Sequence, residues 1–214
     1  MTGMTAVNST FPTYSQGQDA GEGVSSLLGH KVVMDFYTHA ILAGKGFTVR
    51  AGTITTPIVG DVVITDTAAE MGTKALAGYT ILPTYVNIAY RLAAGTLFEN
   101  AAKSIIGSTL TGTAFVPLPL RTLGPNGETA TAAITTAACA TAGGVTVDAE
   151  LATNTRRHFA WSQPIAAGAY TTTYDWIPRA APVLMGPVVF YVQIAGTGTG
   201  PSYYASYDYL EFLS

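Results

Sequence analysis

The chain has 214 residues, of which 48% are hydrophobic and only 11% charged, and its formal net charge is -3. A soluble domain usually carries about 25% charged residues, so Thr, Ser, Gly and Tyr must supply much of the polar surface, a composition that suits strands and turns better than solvated helices. The acidic balance argues against a basic phosphate-binding face. The single cysteine, Cys139, excludes an intramolecular disulfide and a multi-cysteine metal site. So few charges also give a lone molecule weak colloidal protection, which points to a surface covered by neighbours.

Residues 1–29 are rich in Thr, Ser, Gly and Gln, with Phe11, Pro12 and Tyr14 scattered among them and no helical or strand periodicity. They are expected to form a flexible or neighbour-contacting arm ahead of one domain spanning residues 30–214. They lack a basic start followed by an apolar core, and no stretch has the unbroken apolar character of a membrane span, so synthesis in the cytoplasm is expected. Over residues 30–43, Lys31, Asp35, Thr38 and His39 recur at helical spacing, although Val32, Val33, Phe36 and Tyr37 would also serve a strand; a helix is predicted. Gly44-Lys45-Gly46 breaks the chain, and strands are predicted at residues 47–54 and 61–65. The clearest strand is at residues 81–92, with Leu82, Val86, Ile88, Tyr90 and Leu92 on one side and Asn87 and Arg91 on the other. Pro83 places the start or an edge of a sheet there.

Thr96-Leu97-Phe98-Glu99 has the spacing of a capping box, followed by Ala101, Ala102, Lys103 and Ile105 and closed by Gly107, which predicts a short helix. Pro117, Pro119, Pro125, Asn126 and Gly127 mark a turn-rich connection, and the uncharged tract 129–147 reads as a small-residue hairpin or surface loop. Strands are then predicted at residues 145–151, 156–162, 170–176, 183–194 and 203–213. Many short strands with Gly/Pro connections are the pattern of an antiparallel sandwich or barrel.

No constellation for chemistry stands out. His30, His39 and His158 lack metal-ligand spacing, and His158, beside Arg157, Phe159 and Trp161, reads as a structural imidazole. Gly196-Thr197-Gly198-Thr199-Gly200 lacks both the GxGxxG spacing and a P-loop lysine, so it reads as a turn between strands. Asp148 and Glu150 share one side of a predicted strand and read as solvated acids. The expectation is a non-enzyme with no catalytic, cofactor-binding or metal residue. The remaining feature is aromatic: Tyr203, Tyr204, Tyr207 and Tyr209 cluster in the last strand, with Trp176 upstream. Tyrosine buries a large ring while keeping a polar handle, so these five residues, with the pair Arg156 and Arg157, are the interface candidates. Core packing of half of the tyrosines remains the simpler alternative, and stacking on a sugar is a third.

The strings at residues 51–57 (AGTITTP) and 80–88 (TILPTYVNI), together with the strand-rich last third, resemble the single jelly-roll coat proteins of small tailless viruses and related bacteriophage virion proteins. The resemblance implies an all-β antiparallel sandwich of jelly-roll type with one or two short helices. It further implies a virion structural protein that packs with copies of itself, such as a trimer or pentamer within a shell, and with other virion proteins, without catalysis; it is the acidic balance that argues against strong nucleic-acid contact. The alternative is a receptor- or carbohydrate-binding β-sandwich module using exposed Tyr and Trp.

Overall fold

The computed structural model describes residues 23–24, 31–32, 35–92, 95, 97–121, 138–164, 172–198 and 200–214. The arm expected over residues 1–29 lies outside these, apart from β1 (Gly23–Val24), which pairs antiparallel with β2 (Lys31–Val32). Helix α1 (Phe36–Leu42) is shorter than the 30–43 expected. It begins where the Asp35 carboxylate accepts from the Thr38 backbone N–H (2.9 Å) and hydroxyl (2.6 Å), capping the first turn. The strands that follow are β3 (Gly46–Ala51), β4 (Ile58–Val59), β5 (Ala68–Ala75), β6 (Tyr79–Leu92), β7 (Leu97–Ile106), β8 (Leu110–Thr111), β9 (Ala114–Phe115) and β10 (Leu118–Pro119). After them come β11 (Ala138–Val147), β12 (Thr155–Pro164), β13 (Thr172–Trp176), β14 (Leu184–Met185), β15 (Val188–Gly196) and β16 (Ser202–Leu213).

Two antiparallel sheets result. The first runs β10-β3-β16-β6-β13, with β4 on β16 and β14 on β6; the second runs β12-β7-β15-β5-β11-β8, with β9 on β11. Setting aside the two-residue strands and β11, eight strands remain. One sheet holds the first, eighth, third and sixth of these in chain order, the other the second, seventh, fourth and fifth, which is the jelly-roll arrangement. The all-β sandwich expected from the sequence is therefore the fold, with one short helix among the described residues.

Period-2 alternation builds the core. Val188, Phe190, Val192 and Ile194 of β15 face Tyr203, Ala205, Tyr207 and Tyr209 of β16 across the sandwich, joined by Val86, Ile88 and Tyr90 of β6 and Phe98 and Ala102 of β7. Phe190 meets Tyr207 edge to face at 5.4 Å. A smaller apolar cluster covers the outer side of the second sheet, where Ala69, Ile105, Val145, Val147, Val189 and Tyr191 pack under Leu110.

Several local expectations are corrected. The segment predicted as a helix from its capping box is strand β7, paired with β12 on one side and β15 on the other. Its inner face carries Phe98, Asn100, Ala102 and Ser104, all buried. Helix formers such as Ala101, Ala102 and Lys103 yield here to pairing on both edges, because a weak local preference is outweighed by tertiary burial. The same override hides β5 (AAEMGTKA), which is held between β15 and β11. The strand predicted at residues 61–65 is only an isolated bridge, Asp61 to Ala195. The one predicted at 47–54 stops at Ala51, because Gly52 adopts φ +69° and turns the chain. Of the tract 129–147, residues 138–147 are strand and 129–137 lie outside the described residues; the strand predicted at 145–151 is the end of β11 and stops at Val147. The 183–194 strand is divided into β14 and β15.

Pro83 lies inside β6 and is accommodated by a bulge. Tyr209 opposes Pro83 while Asp208 opposes Tyr85, leaving Thr84 as the extra residue, whose hydroxyl donates to the Asp208 carbonyl at 3.1 Å. On the other side Pro83 falls between β14, which reaches Ile81, and β13, which reaches Val86, so its missing N–H interrupts no ladder there. The bulge also flips the alternation, so Ile81 enters the core in place of Leu82. Phe190→Ala should cost about 3–5 kcal/mol of unfolding free energy, read as a lower denaturant midpoint, whereas Ala160→Ser on the exposed face of β12 should leave the midpoint within error.

Candidate functional site

The interface candidates separate by burial. Tyr203, Tyr207 and Tyr209 are 0% exposed. They fill the inter-sheet core because alternation along β16 turns every second residue inward, and this removes those three from the surface available to a partner. Tyr204, at an alternate position, is half-buried, as is Trp176; Arg156 and Arg157 are exposed on β12.

Arg156, Arg157 and Trp176 converge on one flank of the sandwich. The outer edge of β3 is partly covered by β10, and that of β11 by β8 and β9, whereas among the described residues β12 pairs only with β7, and β13 only with β6 and alone at its outer edge. Between these two uncovered edges runs an aromatic seam: Trp161–Tyr174 at 5.0 Å, Phe159–Tyr174 and Phe159–Trp176 at 5.2 Å, all tilted. Tilted pairs at such spacings are favourable beyond their buried area, so the seam holds the two sheets together at this flank, where among the described residues no strand joins them. His158 is the extra residue of a bulge between Arg157 and Phe159. Its Nε2 lies 3.0 Å from the Ser104 hydroxyl, and its ring contacts Trp176 and Phe190. Burial, reinforced by Arg156, holds this imidazole below its ordinary pKa and so favours the neutral ring. His158 thus packs within the seam and is hydrogen-bonded to the second sheet.

Three polar groupings lie elsewhere, and of their acids only Asp148 and Glu150 stand out in the sequence. On the exposed face of the first sheet, the Asp175 carboxylate accepts from the Tyr85 hydroxyl (2.5 Å) and the Asn87 amide (2.8 Å) through one oxygen. Beside it a shallow apolar depression of about 390 Å³ is lined by Tyr37, Thr84, Tyr85, Ile177, Pro178 and Ala181. Tyr85 and Asn87 alternate on β6, and only the register with β13 brings Asp175 to them. On the second sheet, Glu150 pairs with Lys103 and accepts from the Tyr191 hydroxyl at 2.9 Å, while Asp148 instead accepts from the Thr109 backbone and hydroxyl. The two acids expected to be solvated therefore have separate protein partners. No group of three His, Cys, Asp or Glu side chains converges on a metal-sized site among the described residues.

The third grouping is buried. Glu70, 3% exposed, accepts from the Tyr203 hydroxyl at 2.7 Å and from the Asp61 backbone N–H at 3.2 Å. It sits where the backbone is tightly packed: a Cβ on Gly200 would stand 1.9 Å from the Gly60 carbonyl oxygen. Desolvation is the main cause that pushes the Glu70 pKa up to about 7, with the Asp61 charge adding to it and the two hydrogen bonds opposing it.

No protein family model, no curated protein and no solved structure matches the chain.

Because Glu70 holds its proton more tightly folded than unfolded, its contribution is complete below the ordinary glutamate pKa and is lost as pH rises through about 7. Unfolding free energy should therefore fall by roughly 3 kcal/mol from this group between pH 4.5 and pH 8. Glu70→Gln should flatten that slope in denaturant titrations at the two pH values; an unchanged slope would show that Glu70 is not the titrating group.

Proposed function

We propose that this protein is a virion structural protein, a coat component that assembles with copies of itself and with other virion proteins into a shell and catalyses no reaction. The observation that carries this reading is the flank where β12 and β13, the edges of both sheets left uncovered among the described residues, end side by side over half-buried Trp and Tyr rings. An uncovered strand edge is a template for pairing, and proteins that remain monomeric commonly blunt it with charge or cover. The jelly-roll order and the resemblance carried by residues 51–57 and 80–88 support this reading. Fold alone does not specify function, so the flank and the composition bear the weight. At 11% charged residues, with Val116 81%, Ile177 74% and Leu213 77% exposed, much apolar surface is left for neighbours. Arg156 and Arg157 at the flank suit rim contacts between copies better than genome binding, which would need a wider basic field.

A second reading, a receptor- or carbohydrate-binding module, is favoured by the Tyr85, Asn87 and Asp175 cluster. One Asp175 oxygen is occupied by the two donors, which leaves the other to accept from a sugar hydroxyl beside the Tyr85 ring. Light scattering of the full chain at rising concentration separates the two readings. Discrete multimers of fixed stoichiometry are expected. A monomer at every concentration that binds a glycan array and loses that binding on Tyr85→Ala would establish the second reading instead.

A further inference from the structure

We infer that β12 is the strand through which two copies join, antiparallel about a two-fold axis at Trp161, so that the second sheet runs from one copy into the next. This rests on the assembly reading and specifies its first contact. After the His158 bulge, β12 regains regular pairing with β7 from Phe159, and Pro164 closes the strand, so Phe159, Ala160, Trp161, Ser162 and Gln163 are a regular segment with donors intact and no charge. Trp161 is its midpoint. Antiparallel pairing about that residue sets Ala160 opposite Ser162 of the other copy and Phe159 opposite Gln163, and brings the two half-buried Trp161 rings together over the seam they already share with Tyr174 and Tyr90.

The charges select the antiparallel orientation of the second copy. Arg156 and Arg157 stand at one end of β12 and are exposed. In the antiparallel arrangement each pair lies beyond the other copy's Pro164, so the guanidiniums are at opposite ends of the contact. A parallel arrangement would set them face to face, where like charges destabilise a strand pair. A two-fold contact also uses the same patch on both copies and closes on itself, so it gives a defined pair instead of an open fibre. The bulge and the proline limit the contact to these five residues, since a bulge twists the edge away and proline lacks the N–H a ladder needs.

Ala160 and Ser162 are both exposed, so charges placed there spare the core. Two double variants of the full chain are made: Ala160→Lys with Ser162→Lys, and Ala160→Glu with Ser162→Glu. Circular dichroism checks that each retains the β spectrum, and light scattering with native mass spectrometry reads association. Each variant alone should associate at least about tenfold more weakly than wild type, since two like-charge pairs meet across the axis, and an equimolar mixture should regain association as a one-to-one heteropair. Assembly of either variant alone as tightly as wild type, or a mixture that does not recover, would overturn the β12 contact while leaving the assembly reading intact. A wild-type chain that remains monomeric throughout would overturn both.

Discussion

Across the sandwich β16 packs its tyrosines against β15, and this contact joins the two sheets at their centre. β16 lies between β3 and β6, so one sheet is continuous only if residues 202–213 insert there, with Tyr207 opposite Val49 on one side and Val86 on the other. That insertion turns Tyr203, Tyr207 and Tyr209 inward against Phe190 and its neighbours on β15. Burying tyrosine is favourable only if each hydroxyl finds a partner. Tyr203 donates to Glu70, and Tyr207 is hydrogen-bonded to Thr73, so two of the three hydroxyls tie the first sheet to β5 of the second. The buried Glu70 follows from this arrangement: a carboxyl kept from water accepts a phenol and a backbone N–H from opposite layers. Because β3 and β16 stand far apart in the chain, the pairing is non-local, and a sandwich of this kind is expected to fold slowly compared with a helical bundle.

Jelly-roll order also determines which edges remain. Short strands within the chain cover part of the β3 and β11 edges, but β12 and β13 end together on the opposite flank, where the aromatic seam replaces a strand as the closure between sheets. Low charge, exposed apolar side chains and uncovered strand edges are each a solubility liability for an isolated molecule. Combined on one chain, they are what the proposed assembly would cover. The charge on β12 itself, Arg156 and Arg157, is confined to one end of the strand, so in the proposed contact it would orient a neighbour without blocking the regular segment.

Strands rich in β-branched and aromatic residues were legible in the sequence. The pattern at residues 203–213 is β16 to within one residue, and residues 81–92 form most of β6. What alternation could not show was the Thr84 bulge, since a single unpaired residue shifts the inward set without changing composition. Strands β5 and β7 escaped because Ala, Glu, Met and Lys prefer helix, and burial on both edges, which decides them, is a property of the assembled sheet. The tyrosines were recognised as important, but alternation sends three of the four inward; counting parity from Tyr203 would have separated Tyr204 from the others. The Asp175, Glu70 and Glu150 groupings depend on register between strands far apart in sequence, for which a single chain carries no local signal.

Amide hydrogen exchange, compared between dilute and assembled protein, tests the central claim most directly. The β16 amides should be among the slowest in both states, exchanging only through global unfolding, while the outward amides of β12 between Phe159 and Gln163 should exchange quickly when dilute and become protected on assembly. Protection that appears elsewhere while these β12 amides remain fast, or β16 amides that exchange as readily as loops, would contradict it.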